Sequence, residues 1–80
     1  MIEMHVTITH TLTGNTPNVM KIEYSRIKNL NEARSKVRYL ALHLTRDLAS
    51  DQRVQLKAQV LKNNSDWITI YNEGQEYELI

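Results

Sequence analysis

The spacing of apolar residues changes twice along this chain of 80 residues, and the changes predict its secondary structure. From Ile2 to Leu12, apolar residues alternate with polar ones, as in a strand with one buried face. From Leu30 to Leu48, they recur at helical spacing and share a stripe roughly 100° wide. The alternation returns at Arg53. The sequence therefore predicts one helix between two stretches of strand.

The helix has a recognisable beginning. Asn29 can cap its first turn, and Glu32 stands three residues later, where a capping box places its acid. The end is predicted near Ser50, although no glycine marks it. The core-facing stripe of the helix is predicted to contain Leu30, Ala33, Val37, Leu40, Ala41, Leu44 and Leu48.

Turn-forming residues bound the remaining strands at 13–18, 63–66 and 72–74. The strands between them are predicted over 19–27, 53–62, 67–71 and 75–80, the last with Tyr77 and Leu79 facing inward. The order is then β-β-α-β-β-β. This order predicts a single α+β domain over residues 1–80, with an antiparallel-dominated sheet of four to five strands and a single helix packed on one face.

Several kinds of active site are disfavoured. The chain has no cysteine, and its two glycines are too few for a loop of backbone N–H groups around phosphate. His5 and His10 should lie on opposite faces of a strand, and His43 with Asp47 supplies two metal ligands where structural zinc needs four. We expect no enzymatic activity, no metal site and no cofactor.

The first residues and the lengths of the apolar runs indicate the cellular location of the protein. The start alternates apolar residues with Thr, His and Glu and has no basic segment, which is unlike a signal peptide. No apolar run approaches the roughly 20 residues of a membrane-spanning helix. A soluble, cytoplasmic protein without a membrane partner is predicted.

The basic residues are concentrated in the middle of the chain. All ten Lys and Arg residues lie between Lys21 and Lys62 with only four acids, which leaves that segment at +6. The helix contributes Arg34, Arg38 and Arg46 to a second stripe that also contains Leu42, with Tyr39 at its edge. No acid lies three or four residues from any of these arginines, so intrahelical ion pairs cannot form there.

Two interpretations of this stripe remain open. The arginine stems can simply cover apolar surface while their charged groups stay hydrated. Alternatively, the stripe is a contact surface, because arginine and tyrosine beside an exposed leucine have the composition of a binding hot spot. The predicted partner-binding residues are Arg34, Arg38, Tyr39, Leu42 and Arg46.

The outer face of the sheet is a second candidate surface. Alternation places on it His5, Thr7, Thr9, Lys21, Lys57, Trp67, Thr69 and Tyr71. Trp67 and Tyr71 beside Lys21 and Lys57 could stack on bases, as aromatic residues do on the sheets of single-strand binders. The alternative is that Trp67 packs over the sheet edge or turns inward with a shift of register.

The order strand, strand, helix, strand, strand in under a hundred residues resembles that of small phage and mobile-element accessory proteins, including anti-CRISPR inhibitors. The resemblance lies in size and element order, so no residue is carried over from it. We therefore expect a small regulatory or inhibitory binding domain whose partner is a protein with an acidic surface. The alternatives are nucleic-acid binding through the same arginines, extended by Arg53, Lys57 and Lys62, and a homo-oligomer in which the acidic C-terminal strand meets the basic helix.

Overall fold

A computed structural model describes residues 2–12, 14–46, 48, 50–62 and 65–76, without the side chains of Lys62 and Gln75. Its elements are β1 (Ile2–Leu12), β2 (Asn18–Ile27), α1 (Leu30–Thr45), β3 (Gln52–Lys62), β4 (Asp66–Asn72) and β5 (Gln75–Glu76). Within the described residues, the α+β class with an antiparallel sheet and one helix is confirmed. The single domain over 1–80 stays a prediction.

The strands form one sheet in the order β2-β1-β3-β4-β5, and every neighbouring pair is antiparallel. β1 therefore lies between β2 and β3, which run parallel to each other on its two sides. α1 connects these two strands across β1. The first strand of the chain is thus inside the sheet, and β2 lies at an edge.

The core lies between α1 and one face of the sheet. Only Ala33 and Val37 of the helix are fully buried, and small side chains at these positions let the helix approach the sheet closely. Leu30, Leu40, Ala41 and Leu44 are partly buried and pack against them, as the predicted stripe requires. The sheet contributes the buried residues Met4, Val6, Ile8, Ile27, Leu56, Ala58, Val60 and Ile70.

The helix begins where the sequence predicts and ends earlier. The Asn29 side chain accepts a hydrogen bond from the Glu32 N–H at 2.9 Å, and the Glu32 carboxylate accepts one from the Lys28 N–H at 3.2 Å. The predicted end near Ser50 is wrong, because α1 ends at Thr45. The Thr45 hydroxyl donates to the Ala41 carbonyl at 2.7 Å, a local side-chain bond that competes with helical bonding in the last turn.

A bulge in β4 overturns one predicted side-chain position. Thr69 pairs with Gln59 and Tyr71 with Ala58, so Ile70 is the extra residue between them. After the bulge, Tyr71 lies opposite buried Ala58 and packs against the core. The prediction that Tyr71 shares the outer face with Trp67 is therefore wrong, because simple alternation fails at the extra residue.

The predicted turns between strands are present where they are described. Gly14 lies in the turn between β1 and β2 with φ at +85°, and the Asn15 N–H donates to the Leu12 carbonyl. Glu73 and Gly74 have φ of +50° and +90°, the pairing that joins two antiparallel strands by a two-residue turn. Tyr77, Glu78 and Leu79, and with them the predicted inward face of the last strand, lie outside the described residues.

Among the described residues, no helix has both the length and the apolar character needed to cross a membrane.

Candidate interaction surface on the helix

The arginine stripe of α1 receives its acidic partner from the other end of the chain. Arg38 donates from Nε to Oε1 of Glu76 at 2.5 Å and from its terminal nitrogen to Oε2 at 2.8 Å. This two-bond geometry fixes the guanidinium in one plane and orientation. Glu76 reaches it because its neighbour in the sheet, Tyr71, lies on the helix side after the bulge.

The ion pair changes the acidity of both groups. The hydrogen bonds from Arg38 are the largest cause that lowers the pKa of Glu76, and the charge of Arg38 lowers it further. Arg34 acts in the same direction, whereas partial loss of hydration opposes all three effects. The same bonds raise the pKa of Arg38. Glu76 is therefore held as a carboxylate chiefly by Arg38, and the charge of Arg34, one helical turn earlier, acts in the same direction.

The sequence of α1 has no acid three or four residues from these arginines, but in the folded protein Glu76 of β5 supplies one. Arg34 is half-buried and contributes charge at Glu76, while Arg38 stays largely exposed. Arg46 is exposed and follows the last residue of the helix, where a positive charge complements the helix dipole. The predicted arginines therefore occupy three different environments.

Two large apolar side chains lie beside these arginines in solvent. Tyr39 and Leu42 are one turn apart, and each is 63 % exposed. Neither belongs to the core, since the helical residues packed against the sheet lie on the opposite side of α1. The Tyr39 ring contacts the His43 ring, with centroids 4.1 Å apart and planes tilted by 48°. We call the surface formed by Arg38, Tyr39, Leu42, His43 and Arg46 the helix face.

His43 was not among the residues predicted for partner binding. Its position four residues after Tyr39 is the signal that could have placed it there, because residues at this spacing share one side of a helix. Asp47, which with His43 supplies too few ligands for a metal site, lies outside the described residues. In the described part of the chain, no group of three potential metal-binding side chains comes together.

A shallow groove of about 400 Å³ runs beside the helix face, between α1 and the edge strand β2. Its walls are Tyr24 of β2 and the helical residues Glu32, Ser35, Lys36, Tyr39 and Leu40. The Lys36 ammonium lies 5.6 Å from the centre of the Tyr24 ring, within the range of a cation–π contact. Tyr39 thus borders both the helix face and this groove.

The outer face of the sheet offers less than its sequence pattern predicts. Trp67 does lie there, but its ring stacks on His5 with centroids 3.9 Å apart and planes 22° from parallel. The stack covers one side of the indole. Lys21 and Lys57 flank Thr7 in one row across β2, β1 and β3. With Tyr71 turned to the core, Trp67 is the one aromatic residue of the predicted pair on this face.

Comparison with known proteins gives no relative from which a function could be transferred. No family model matches the chain, and no curated protein or solved structure matches it significantly.

Proposed function

We propose that this protein is a small non-enzymatic binding domain that acts by occupying a protein partner through the helix face. The proposal depends on the exposure of Tyr39 and Leu42. These two large side chains lie one turn apart on the same helix, and each is 63 % exposed to solvent. Interfaces derive most of their binding free energy from a few such side chains, with arginine and tyrosine over-represented among them. The contact centre is then apolar, with a cationic margin.

The distribution of charge supports a partner with an acidic surface. Arg38 and Arg46 border the two apolar side chains, and Glu76 offsets part of the positive charge of Arg38. Because Glu76 holds the Arg38 guanidinium in one orientation, that side chain loses less conformational entropy when a partner binds. A partner carboxylate can contact the outer edge of this ordered ion pair.

The apolar side chains of the helix face favour protein over nucleic acid as the partner. The N–H groups of Arg38 that do not bind Glu76 can contact a carboxylate or a phosphate, so they do not discriminate between the two. Exposed Leu42 offers nothing to a phosphate. Together with the resemblance in size and element order to phage accessory inhibitors, this supports a cytoplasmic regulator or host inhibitor that masks a protein surface.

The decisive substitution is Leu42→Glu. It replaces the central apolar contact by a charge that an acidic partner repels, and the exposed position should leave the fold unchanged. Loss of one hot-spot residue costs at least ~2 kcal/mol, so we expect affinity for the captured partner to fall by about 30-fold or more. The partner is captured from nuclease-treated lysate of the source cells, identified by mass spectrometry and titrated with purified variants.

Lys57→Glu is the matched control, since it places the same new charge on an exposed position of the outer sheet face. It should bind like the unmodified protein. Equal loss in both variants, or retained binding by Leu42→Glu, would assign the interaction to another surface. Capture abolished by nuclease, with a mobility shift on nucleic acid that weakens steeply with salt, would favour the nucleic-acid alternative.

A further inference from the structure

The edge strand β2 has an open side. It is ten residues long and comes first in the sheet order, so no strand of the described chain pairs with its outer backbone groups. Natural sheets usually protect such edges with charged side chains, proline, irregular backbone or a covering segment, and β2 has the charged residues Lys21, Glu23 and Arg26. The bulge in the pairing of β2 with β1 lies near the end of β2, where its residues pair with Ile2 and Met4. Residues 18–24 of β2 pair with β1 without interruption.

Exposed apolar side chains accompany this open edge. Val19 is 62 % and Met20 55 % accessible, two of the highest values for large apolar residues in the described chain. They lie on opposite faces of the same strand, Met20 on the helix side opposite Ile8 and Val19 on the outer side opposite Thr9. A second strand added along β2 would bury part of both.

We propose that the occupant of this edge is β2 of a second copy, paired antiparallel and centred on Ile22. The argument is the distribution of charge along the strand. Lys21 and Glu23 flank Ile22 on the outer face, so in this register each Lys21 lies directly opposite Glu23 of the other copy. The two-fold symmetry generates that favourable pair twice.

Neighbouring registers do not share this complementarity. Centring the pairing one residue earlier places Lys21 opposite its own copy, and centring it one residue later does the same for Glu23. Either arrangement sets like charges directly across from each other, which is destabilising in a sheet. The charges therefore select the register centred on Ile22.

The helix side of the strand fits the same register. Met20 of one copy lies opposite Tyr24 of the other, beside the groove that Tyr24, Lys36 and Leu40 line. An exposed methionine is suited to fill such a groove, because its flexible thioether packs well against aromatic rings. Ile22 pairs with itself at the centre. One register thus explains both the exposed Met20 and the open groove.

The resulting assembly is a continuous ten-stranded sheet with both helices on one face. The two-fold axis is perpendicular to the sheet, so residues on the helix side of one copy remain on the helix side of the other. This inference does not depend on the proposed function, since the strand pairing and its charges lie on β2, and the two surfaces share only Tyr39 at the border of the groove.

Charge reversal tests both the dimer and its register. Lys21→Glu and Glu23→Lys each convert two attractive pairs into two repulsive ones, and both positions are exposed. We expect each single variant to weaken the dimer by about tenfold. The double variant K21E/E23K exchanges the charges and should recover the original dimer. The readout is molar mass by light scattering across a concentration series, with circular dichroism to verify folding.

The two single variants also complement each other. When they are mixed, the all-acidic strand of one faces the all-basic strand of the other, so a heterodimer should form that neither variant forms alone. Two results would overturn the proposal: an unmodified protein that is monomeric across the concentration series, or a dimer that none of these substitutions changes. Single variants that dissociate but fail to combine when mixed would exclude the register centred on Ile22.

Discussion

The bond between Arg38 and Glu76 joins the helix to the last described strand through one pair of side chains. Both groups are accessible to water, so solvent screening limits what the pair contributes to stability. Its main structural effect is to orient the Arg38 guanidinium, because two parallel hydrogen bonds fix the plane of that group on the helix face. The pair also makes the free energy of unfolding depend on pH.

Replacing Glu76 by Gln should remove that pH dependence. Because folding lowers the pKa of Glu76 from its ordinary value of 4.5, the carboxylate stabilises the native state above pH 4.5. This contribution is lost as pH falls through the lower pKa of the folded state. We therefore expect Glu76→Gln to be less stable than the unmodified protein at neutral pH and equally stable in acid, measured by urea unfolding across a pH series.

Glu3→Gln is the matched control, since Glu3 is an exposed acid near the start of β1. It should shift the unfolding free energy little at either end of the series. A difference between Glu76→Gln and the unmodified protein that persists well below the ordinary carboxylate range would show that the pair does not stabilise the fold through its charge.

At the residue scale, the sequence predicts which side chains are exposed better than it predicts what they contact. The stripe containing Arg38, Leu42 and Arg46 follows from helical spacing alone, and all three are exposed. The contact of Arg38 with Glu76 does not, because the two residues are 38 positions apart and meet only after the sheet has formed. Local sequence contains no information on which carboxylate arrives there.

At the scale of elements, the beginning of α1 is specified by a few local bonds. Asn29 accepts from the Glu32 N–H, and the Glu32 carboxylate returns to the Lys28 N–H. The first bond satisfies an N–H group that a helix leaves without a helical partner in its first turn, and the second holds the residue that precedes the cap. This pattern can be predicted from the sequence because all three residues lie within one segment of five, 28–32.

Removing the cap should have a defined cost. Asn29→Ala deletes the acceptor for the Glu32 N–H, and we expect it to lower the free energy of unfolding by about 1 kcal/mol. Asn29→Ser preserves an acceptor oxygen and should retain most of the stability. Chemical denaturation of the three proteins measures both effects, and equal losses for Ala and Ser would indicate that the side-chain bond contributes little.

The bulge in β4 shows where the alternation of apolar and polar residues fails to predict which face of the sheet a side chain lies on. Alternation places Thr69 and Tyr71 on one face, but the extra residue Ile70 turns Tyr71 to the core. A bulge leaves no clear mark in a strand of seven residues, since an inserted apolar residue still looks like part of the strand. The end of α1 is equally hard to predict from the sequence, because no glycine follows Thr45 to mark it.

At the scale of the whole molecule, the class of fold follows from periodicity, whereas the position of each strand does not. Alternation in β1, β2 and β3 is equally clear, so the sequence supports several orders. The structure places β1 inside, with Met4 and Val6 fully buried and with long partners on both edges. That position depends on contacts across the whole chain.

Amide hydrogen exchange should reveal this arrangement. β1 has eleven residues and hydrogen-bonded neighbours on both sides, so its amides should exchange only when the whole protein unfolds. Among the described residues, the two of β5 pair with β4 alone and should exchange much faster. Measurement by nuclear magnetic resonance would contradict this picture if the amides of β1 and β5 exchanged at similar rates.

The internal position of β1 also determines the order in which the protein can assemble. Its hairpin with β2 closes over a short turn, whereas its pairing of Met4 with Val60 must wait until the helix and β3 exist. Pairing between residues so distant in sequence is slow, because the chain entropy is lost before the contacts form. During synthesis, β1 therefore carries an open edge that no longer exists in the finished fold. Until α1 and β3 dock, this edge of the nascent chain can pair with other chains, and docking closes it.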